Sequence, residues 1–201
     1  MRVHGGEVLE LIRGNVYGPV TRYSDSHIFV ALDLMNGEGR VSRKALAERT
    51  GLGEGSVKGM LNVLKDWKWI EINQSGVALT EFGRKNFLGF GIRFVDIRDD
   101  TYAVGSYQQG AVVEGVASAV TNGMAQRDDA VRNGAIGASV FVMRDGRVVL
   151  PEIWNMDEKD PGFAGRVRAA GMKDGDALVL VGADSPEAAR VAAAAVGLGM
   201  R

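Results

Sequence analysis

The sequence has 201 residues, which is enough for one large domain or for two small domains with separate cores. Apolar residues make up 46% of it and charged residues 24%, as in ordinary soluble globular proteins. The formal net charge of -1 excludes a protein that coats polyanions by bulk charge, and the absence of cysteine excludes disulfides and thiolate chemistry. His4 and His27 are the only histidines, which excludes a multi-histidine metal site. We expect neither a bound metal nor a cofactor.

The sequence shows neither a membrane helix nor a secretion signal. No apolar run approaches the roughly 20 residues that a membrane helix needs, and residues 1–6 lack the apolar core of a signal peptide. We therefore expect a cytoplasmic protein without membrane contacts. Charge is divided unevenly, with 12 basic and 10 acidic residues in 1–90 against 12 basic and 15 acidic residues in 91–201. This asymmetry predicts two halves with different roles.

Helices dominate the predicted first half. Apolar residues at helical spacing, with serine and threonine caps, predict helical segments over 7–13, 24–35, 43–50, 56–68 and 80–87. The dipeptide Asn36-Gly37 is expected to end the second of these. Strands are predicted over 69–72 and 77–80, joined by a polar hairpin loop. Three helices, a hairpin and a further helix follow the order of a winged helix-turn-helix.

The predicted helix over 56–68 has the features of a DNA recognition helix. Its apolar residues are expected to face inward, so that short polar and cationic side chains remain for the major groove and the phosphates. The predicted DNA contacts on this helix are Ser56, Lys58, Asn62 and Lys65.

Two further segments are expected to support this contact. Ser42, Arg43 and Lys44 begin the preceding helix, where free backbone N–H groups favour a phosphate. Asn73 and Gln74 form the tip of the hairpin, which is polar but uncharged, so that its DNA contact would be weak.

Residues 26–88 resemble the winged-helix transcription regulators. The resemblance is carried by VSRKALAERTGLGEGSVK at 41–58, by L-x-x-L-x-x-W-x-x-I at 61–70 and by L-T-x-x-G at 79–83. It implies double-stranded DNA as a partner. Gly59 departs from the pattern, because many of these regulators have a basic or long polar residue there. This departure implies modest intrinsic affinity that a homodimer would supplement.

A separate second domain is predicted after the glycines of Gly89-Phe90-Gly91, which divide the chain into domains 1–88 and 89–201. Strands are expected over 92–97, 102–107, 139–143, 147–150 and 177–181. Helices are expected over 112–134 with a break near Asn122-Gly123, over 162–170 and from 184 to about 196. The predicted fold class is an α+β winged helix-turn-helix followed by an α/β domain of about five strands and three helices.

A candidate effector site is predicted around Gln126, Arg127 and Asp128. Arg127 suits an anion and Asp128 suits a hydroxyl or an amine, while Trp154 and Phe163 would supply an apolar wall. The alternative is a solvated helix face, because consecutive helical residues cannot all point to one side.

The chain as a whole resembles an uncharacterised archaeal family of winged-helix regulators with a C-terminal domain of unknown function. The run QRDDAVRNGA at 126–135 carries this second resemblance, together with Asp145-Gly146 and Val149-Leu150-Pro151. It implies a domain that senses an effector or forms a dimer.

The sequence thus predicts a DNA-binding transcriptional regulator whose second domain senses a small-molecule effector, forms a homodimer, or does both. Candidate dimer surfaces are 7–13 and the alanine-rich C-terminal helix. Dinucleotide-binding, Walker A and nucleophile-elbow motifs are absent, so we do not expect an enzyme. Two alternatives stay open, namely a metabolic enzyme with an appended regulatory winged helix and a protein-interaction module that does not bind DNA.

Overall fold

The computed structural model describes residues 22–201, which form two compact units divided between Phe90 and Gly91. Across this range the chain is mixed α and β, with eight α-helices and two antiparallel sheets. None of these helices is long and apolar enough to cross a lipid bilayer. The predicted helical segment over 7–13, also a candidate dimer surface, lies outside the described residues.

Helices surround a small sheet in the first unit. Its elements are α1 (Asp25–Glu38), β1 (Arg40–Val41), α2 (Arg43–Thr50), α3 (Glu54–Asp66), β2 (Ile70–Asn73), β3 (Gly76–Leu79) and α4 (Glu81–Leu88). The sheet has the order β1-β3-β2, and both pairs are antiparallel. Strand β1 was not predicted, because a two-residue strand has no periodicity that a sequence pattern can show.

Side-chain caps set several helix starts at the predicted residues. The Ser42 hydroxyl oxygen accepts the Ala45 N–H at 3.1 Å, and the Thr80 hydroxyl oxygen accepts the Gly83 N–H at 2.9 Å. The predicted end of α1 at Asn36-Gly37 is wrong. The helix runs to Glu38, because Gly39 has the positive φ of 77° that ends it.

An aromatic cluster holds the first unit together. The Phe29 ring lies 5.2 Å from that of Phe87, and the Trp69 ring lies 6.2 Å from that of Phe90, measured between centroids. All four side chains are buried. Gly83 brings α4 against the main chain of Trp69, since a Cβ at position 83 would lie 2.0 Å from the Trp69 carbonyl oxygen.

The second unit is built on a six-stranded antiparallel sheet of order β4-β5-β9-β6-β7-β8. Its strands are β4 (Ile92–Val95), β5 (Tyr107–Val113), β6 (Gly137–Arg144), β7 (Arg147–Leu150), β8 (Trp154–Asn155) and β9 (Ala177–Ala183). Its helices are α5 (Met124–Arg132), α6 (Met156–Lys159), α7 (Pro161–Ala169) and α8 (Pro186–Gly199). Six strands and four helices thus replace the expected five and three.

Helices cover both faces of this sheet. Helices α5 and α8 pack on β5, β6 and β9 from one side. Helices α6 and α7 lie on the other side, where Met156 and Phe163 join a core with Phe141 and Leu178. The predicted β9 segment is confirmed, because all seven of its residues are buried, as expected for a central strand.

Two predictions for the segment before α5 are wrong. Residues 102–106 form a loop rather than a strand. Residues 107–113 form β5, although only residue 107 was predicted as strand and residues 112–113 were predicted as helix. Because Ala111, Val112 and Val113 are all buried beside β9, their apolar run has no period that separates strand from helix. The predicted helix over 112–134 is confirmed only as α5. Gly123, with a φ of 77°, precedes the start of this helix and does not interrupt a longer one.

The alanine-rich helix α8 was also considered as a dimer surface, and this is wrong for most of its length. Ala192, Ala193 and Ala194 are fully buried within a single chain. Their small side chains let α8 pack against β5, β9 and α5.

Candidate functional site

The exposed face of α3 contains most of the predicted recognition residues. Lys58, Asn62 and Lys65 are exposed and follow one another at spacings of four and three, which puts them on one face. The opposite stripe of Val57, Met60, Leu61 and Leu64 is at most 1% exposed. Ser56 is half-buried on a neighbouring flank and does not belong to the exposed row.

Helix α2 begins beside α3 with two exposed cations. The guanidinium of Arg43 forms no ion pair or hydrogen bond with any residue between 22 and 201. Lys44 lies 3.8 Å from Glu48 (Nζ to Oε1), but both side chains are well exposed and the pair is therefore weak. Ser42 is exposed at the helix start, and its oxygen caps α2.

Two surface grooves join these elements. A groove of about 470 Å³ lies between α2 and α3 and is lined by Arg43, Lys44, Glu54, Gly55, Val57 and Lys58. A second groove, of about 430 Å³, separates the start of α2 from the hairpin and is lined by Ser42, Arg43 and residues 72–77. Arg43 lines both grooves. The predicted contacts that lie around Arg43 are therefore Ser42, Lys44, Lys58, Asn73 and Gln74. The other predicted contacts of α3, namely Ser56, Asn62 and Lys65, line neither groove.

The hairpin tip is ordered by its own side chains. Asn73 Oδ1 accepts the Ser75 N–H at 2.9 Å and the Ser75 hydroxyl at 2.7 Å. These bonds occupy the Asn73 carbonyl and leave Gln74 exposed at the tip. No charged side chain follows in the loop, so the tip offers hydrogen bonds rather than charge to a partner.

The predicted effector residues are not brought together. Arg127 and Asp128 are exposed on α5, and Gln126 is half-buried. Phe163 is fully buried on the opposite face of the sheet, where its ring lies 4.6 Å from that of Phe141. It cannot line a site with α5, because the sheet separates the two.

Trp154 lies two strands away from β6, the strand against which α5 packs. It lies on β8, the edge strand of the sheet, and the Lys159 ammonium sits 4.8 Å from its ring centroid. The contact between the Lys159 ammonium and the Trp154 ring is a cation–π pair, which accounts for the exposed ring without a bound ligand.

The second unit also contains a cavity that the sequence did not predict. It has a volume of about 230 Å³ and lies beside the loop over residues 96–106, which we call the β4–β5 loop. Its polar lining includes Arg98, Asp100, Ser106, Tyr107, Gln108 and Arg190. Because residues 102–107 were predicted to form a strand, this loop was not predicted. Its polar residues and the glycine at position 105 are nevertheless typical of a loop.

Gln108 fastens the β4–β5 loop to the sheet. Its side-chain oxygen accepts the Asp99 N–H at 2.7 Å, while its Nε2 donates to Asp100 Oδ1 at 2.8 Å and to the Ala103 carbonyl at 3.2 Å. One side chain thus satisfies three groups of an otherwise irregular segment.

The base of the same loop is held by Tyr102 and Asp160. The Asp160 carboxylate accepts the Phe163 N–H at 2.9 Å and the Tyr102 hydroxyl at 3.1 Å. The first of these bonds and then the second hold the pKa of Asp160 below its ordinary value. Burial, followed by the bond to Asp160, raises the pKa of Tyr102. The loop is therefore held by a hydrogen bond between the neutral Tyr102 phenol and the ionised Asp160 carboxylate, which caps α7.

Comparison with known proteins relates the second unit to a family and the chain to a solved structure. No curated protein matches the sequence. A hypothetical protein from Pyrococcus horikoshii OT3 has a similar structure, with a TM-score of 0.71 and 25% sequence identity, over 87% of this chain and 91% of that chain. Residues 104–200 match a family described as a domain of unknown function (DUF4443), which spans most of the second unit.

Proposed function

We propose that this protein is a DNA-binding transcriptional regulator. In this proposal residues 22–90 are a winged helix-turn-helix, with α3 as the recognition helix and the β2–β3 hairpin as the wing. The second unit binds a small molecule, forms the homodimer, or does both. The observation that carries the proposal is the convergence of predicted DNA contacts from α2, α3 and the hairpin around Arg43.

The order of elements supports the winged-helix assignment. Helix, short strand, two helices and a hairpin are followed by a further helix, and the three strands pair in one antiparallel sheet. This arrangement leaves one face of α3 uncovered beside the start of α2, as a helix that enters a major groove requires.

The chemistry of the exposed row supports a nucleic-acid partner. The Asn62 amide can donate to and accept from the edge of an adenine, and Lys58 and Lys65 can neutralise phosphates. Arg43 and Lys44 lie where the free N–H groups of α2 already favour an anion. The acidic residues Glu54 and Asp66 at the ends of α3 limit the affinity.

Lys58→Ala is the first test of this proposal. We expect weaker binding of the full chain to DNA from upstream of its own gene, because one phosphate contact is lost. The slope of log affinity against log salt should fall by about 1. Fluorescence anisotropy between about 50 and 200 mM salt measures both quantities.

Lys85→Ala is the matched control, since Lys85 is an exposed lysine on α4, outside the three elements of the interface. Undetectable or salt-independent binding by the unaltered protein would overturn the proposal. Equal losses in the two lysine variants would remove α3 from the interface.

Asn62→Ala tests base reading rather than phosphate contact. We expect a loss of discrimination of about 1–3 kcal/mol at one A·T position, because a bidentate amide contact is removed. The salt slope should stay unchanged. Anisotropy titrations against a set of single-base-pair variants of the binding site measure the effect, and an equal loss on every DNA variant would contradict it.

A further inference from the structure

We propose that the cavity beside the β4–β5 loop binds a small hydroxylated molecule that carries one phosphate or carboxylate group. Arg190 and Arg98 would bind the anionic group, while Ser106 and Tyr107 would bind the hydroxyls. The inference rests on the proposed function in one respect, since it names the class of effector for the second unit.

The two arginines give the cavity its preference for an anion. Arg190 lies one turn into α8, is half-buried, and forms no ion pair or hydrogen bond with any described residue. Arg98 pairs with Asp96 at 3.2 Å, but the two side chains are 75% and 86% exposed, so this pair is easily exchanged for a ligand. Arg190, which has no carboxylate partner among the described residues, and Arg98, whose pair is exposed, together favour a bound oxyanion.

The acidic residue in the cavity lining is already engaged. Asp100 accepts the Gln108 amide at 2.8 Å and forms no ion pair with either arginine. The charged side chains of the lining are thus two guanidiniums and one carboxylate. A planar guanidinium donates two parallel hydrogen bonds to phosphate or carboxylate, which suits both oxyanions.

Two glycines fix the wall that presents Ser106 and Tyr107. A Cβ at Gly182 would lie 2.0 Å from the Val104 carbonyl oxygen, and a Cβ at Gly105 would lie 2.7 Å from the Ala183 nitrogen. Gly105 also has a φ of 136°, which side chains rarely allow. The loop is therefore packed main chain against main chain on the end of β9. Such a wall loses little conformational entropy when a ligand binds.

The volume and the hydroxyls limit the size and type of the ligand. A volume of about 230 Å³ is smaller than the pockets that enclose drug-sized ligands, and it suits a small metabolite. The Ser106 and Tyr107 hydroxyls can each donate and accept, and the Tyr107 ring is 46% exposed beside them. A short polyol chain with one anionic end fits these groups.

Isothermal titration calorimetry of the full chain tests the proposal with four probes, namely glycerol 3-phosphate, glycerate, inorganic phosphate and glycerol. We expect glycerol 3-phosphate or glycerate to bind, and the better of the two identifies the anionic group. Inorganic phosphate should bind more weakly, because it makes no contact through a polyol, and glycerol should not bind.

Arg190→Ala should weaken binding of the better probe at least about tenfold, which corresponds to about 1.4 kcal/mol. Arg190→Lys keeps the charge but not the planar fork, and should show an intermediate loss if the oxyanion is bound bidentately. Arg132→Ala is the control, since Arg132 is an exposed arginine of α5 that does not line this cavity. Circular dichroism establishes that each variant is folded.

Failure of either proposal can be recognised separately. Absence of binding by all three anions, or equal binding by the Arg190→Ala and Arg132→Ala variants, would overturn the cavity assignment even if the protein binds DNA. If the protein binds the anion in a way that depends on Arg190 but does not bind DNA, the proposed ligand site stands and the proposed DNA-binding function is wrong.

Discussion

At the scale of single residues, local capping could be predicted from the sequence whereas the cavity could not. Ser42 and Thr80 act within three residues of their partners, so the sequence alone identifies them. Arg98 and Arg190 line the same cavity although 91 residues lie between them in the sequence. Neither belongs to a motif, and the sheet that joins their segments brings them together. Phe163 cannot join the effector site predicted on α5, because it lies across the sheet from that helix.

Asp25 illustrates a residue whose environment opposes its charge. It occupies the first position of α1, where the helix end would favour a carboxylate. Burial nevertheless raises the pKa of Asp25 to about 6 from 3.8. The folded protein therefore binds a proton at pH values where the unfolded chain does not.

We expect Asp25→Asn to stabilise the protein above pH 6. Because the folded pKa is the higher one, the stability contributed by Asp25 is present below pH 3.8 and is lost as the pH rises through about 6. Asparagine cannot ionise, so the difference between variant and unaltered protein should grow across this window and shrink at lower pH. Urea unfolding at several pH values measures it. Asp66→Asn, at an exposed position of α3, controls for the substitution itself, and a difference that does not change with pH would contradict the expectation.

At the scale of elements, predictions succeeded where periodicity and termini agreed. Helix α2 begins and ends at the predicted residues, and β9 stands out as a fully buried run. Strand β5 was misjudged, because its apolar residues are buried on both faces and lose the alternation that marks a strand. Helix α6 and strand β8 are too short to show any period.

The packing of α4 depends on the missing side chain of Gly83. We expect Gly83→Ala to destabilise the first unit by about 1–3 kcal/mol, because the new methyl group collides with the main chain of Trp69 and the helix must move. Gly37→Ala is the matched control, because nothing lies within 4 Å of its Cβ position, and it should stabilise α1 by about 0.5–1 kcal/mol. Urea unfolding followed by circular dichroism separates the two, and a Gly83→Ala variant as stable as the control would contradict the packing argument.

At the scale of the whole molecule, the near-neutral charge means that the proposed regulator would select its DNA by geometry and not by bulk attraction. The first 90 residues exceed neutrality by only two positive charges, so non-specific attraction to DNA is small. One recognition helix also reads too few base pairs for genomic specificity, and two copies solve this by reading two half-sites.

We therefore expect two chains on each binding site. Hydroxyl-radical footprinting should show two protected half-sites about 10–10.5 base pairs apart, or a multiple of that spacing, because the two recognition helices of a dimer meet the same face of the duplex. Analytical ultracentrifugation of the complex should give a stoichiometry of two chains to one duplex. A single protected segment with one chain bound would contradict the dimer.

Gly105 of the β4–β5 loop and Gly182 of β9 determine the shape of the cavity, whereas other residues determine which molecule it binds. Gly105 and Gly182 touch main chain, so each constrains the other and neither touches the proposed ligand. In related proteins the pair should persist together wherever the loop is kept, while positions 98, 106 and 190 vary with the molecule that each protein binds. The glycine pair would then mark which relatives have the cavity, and the three variable positions would sort those relatives by ligand.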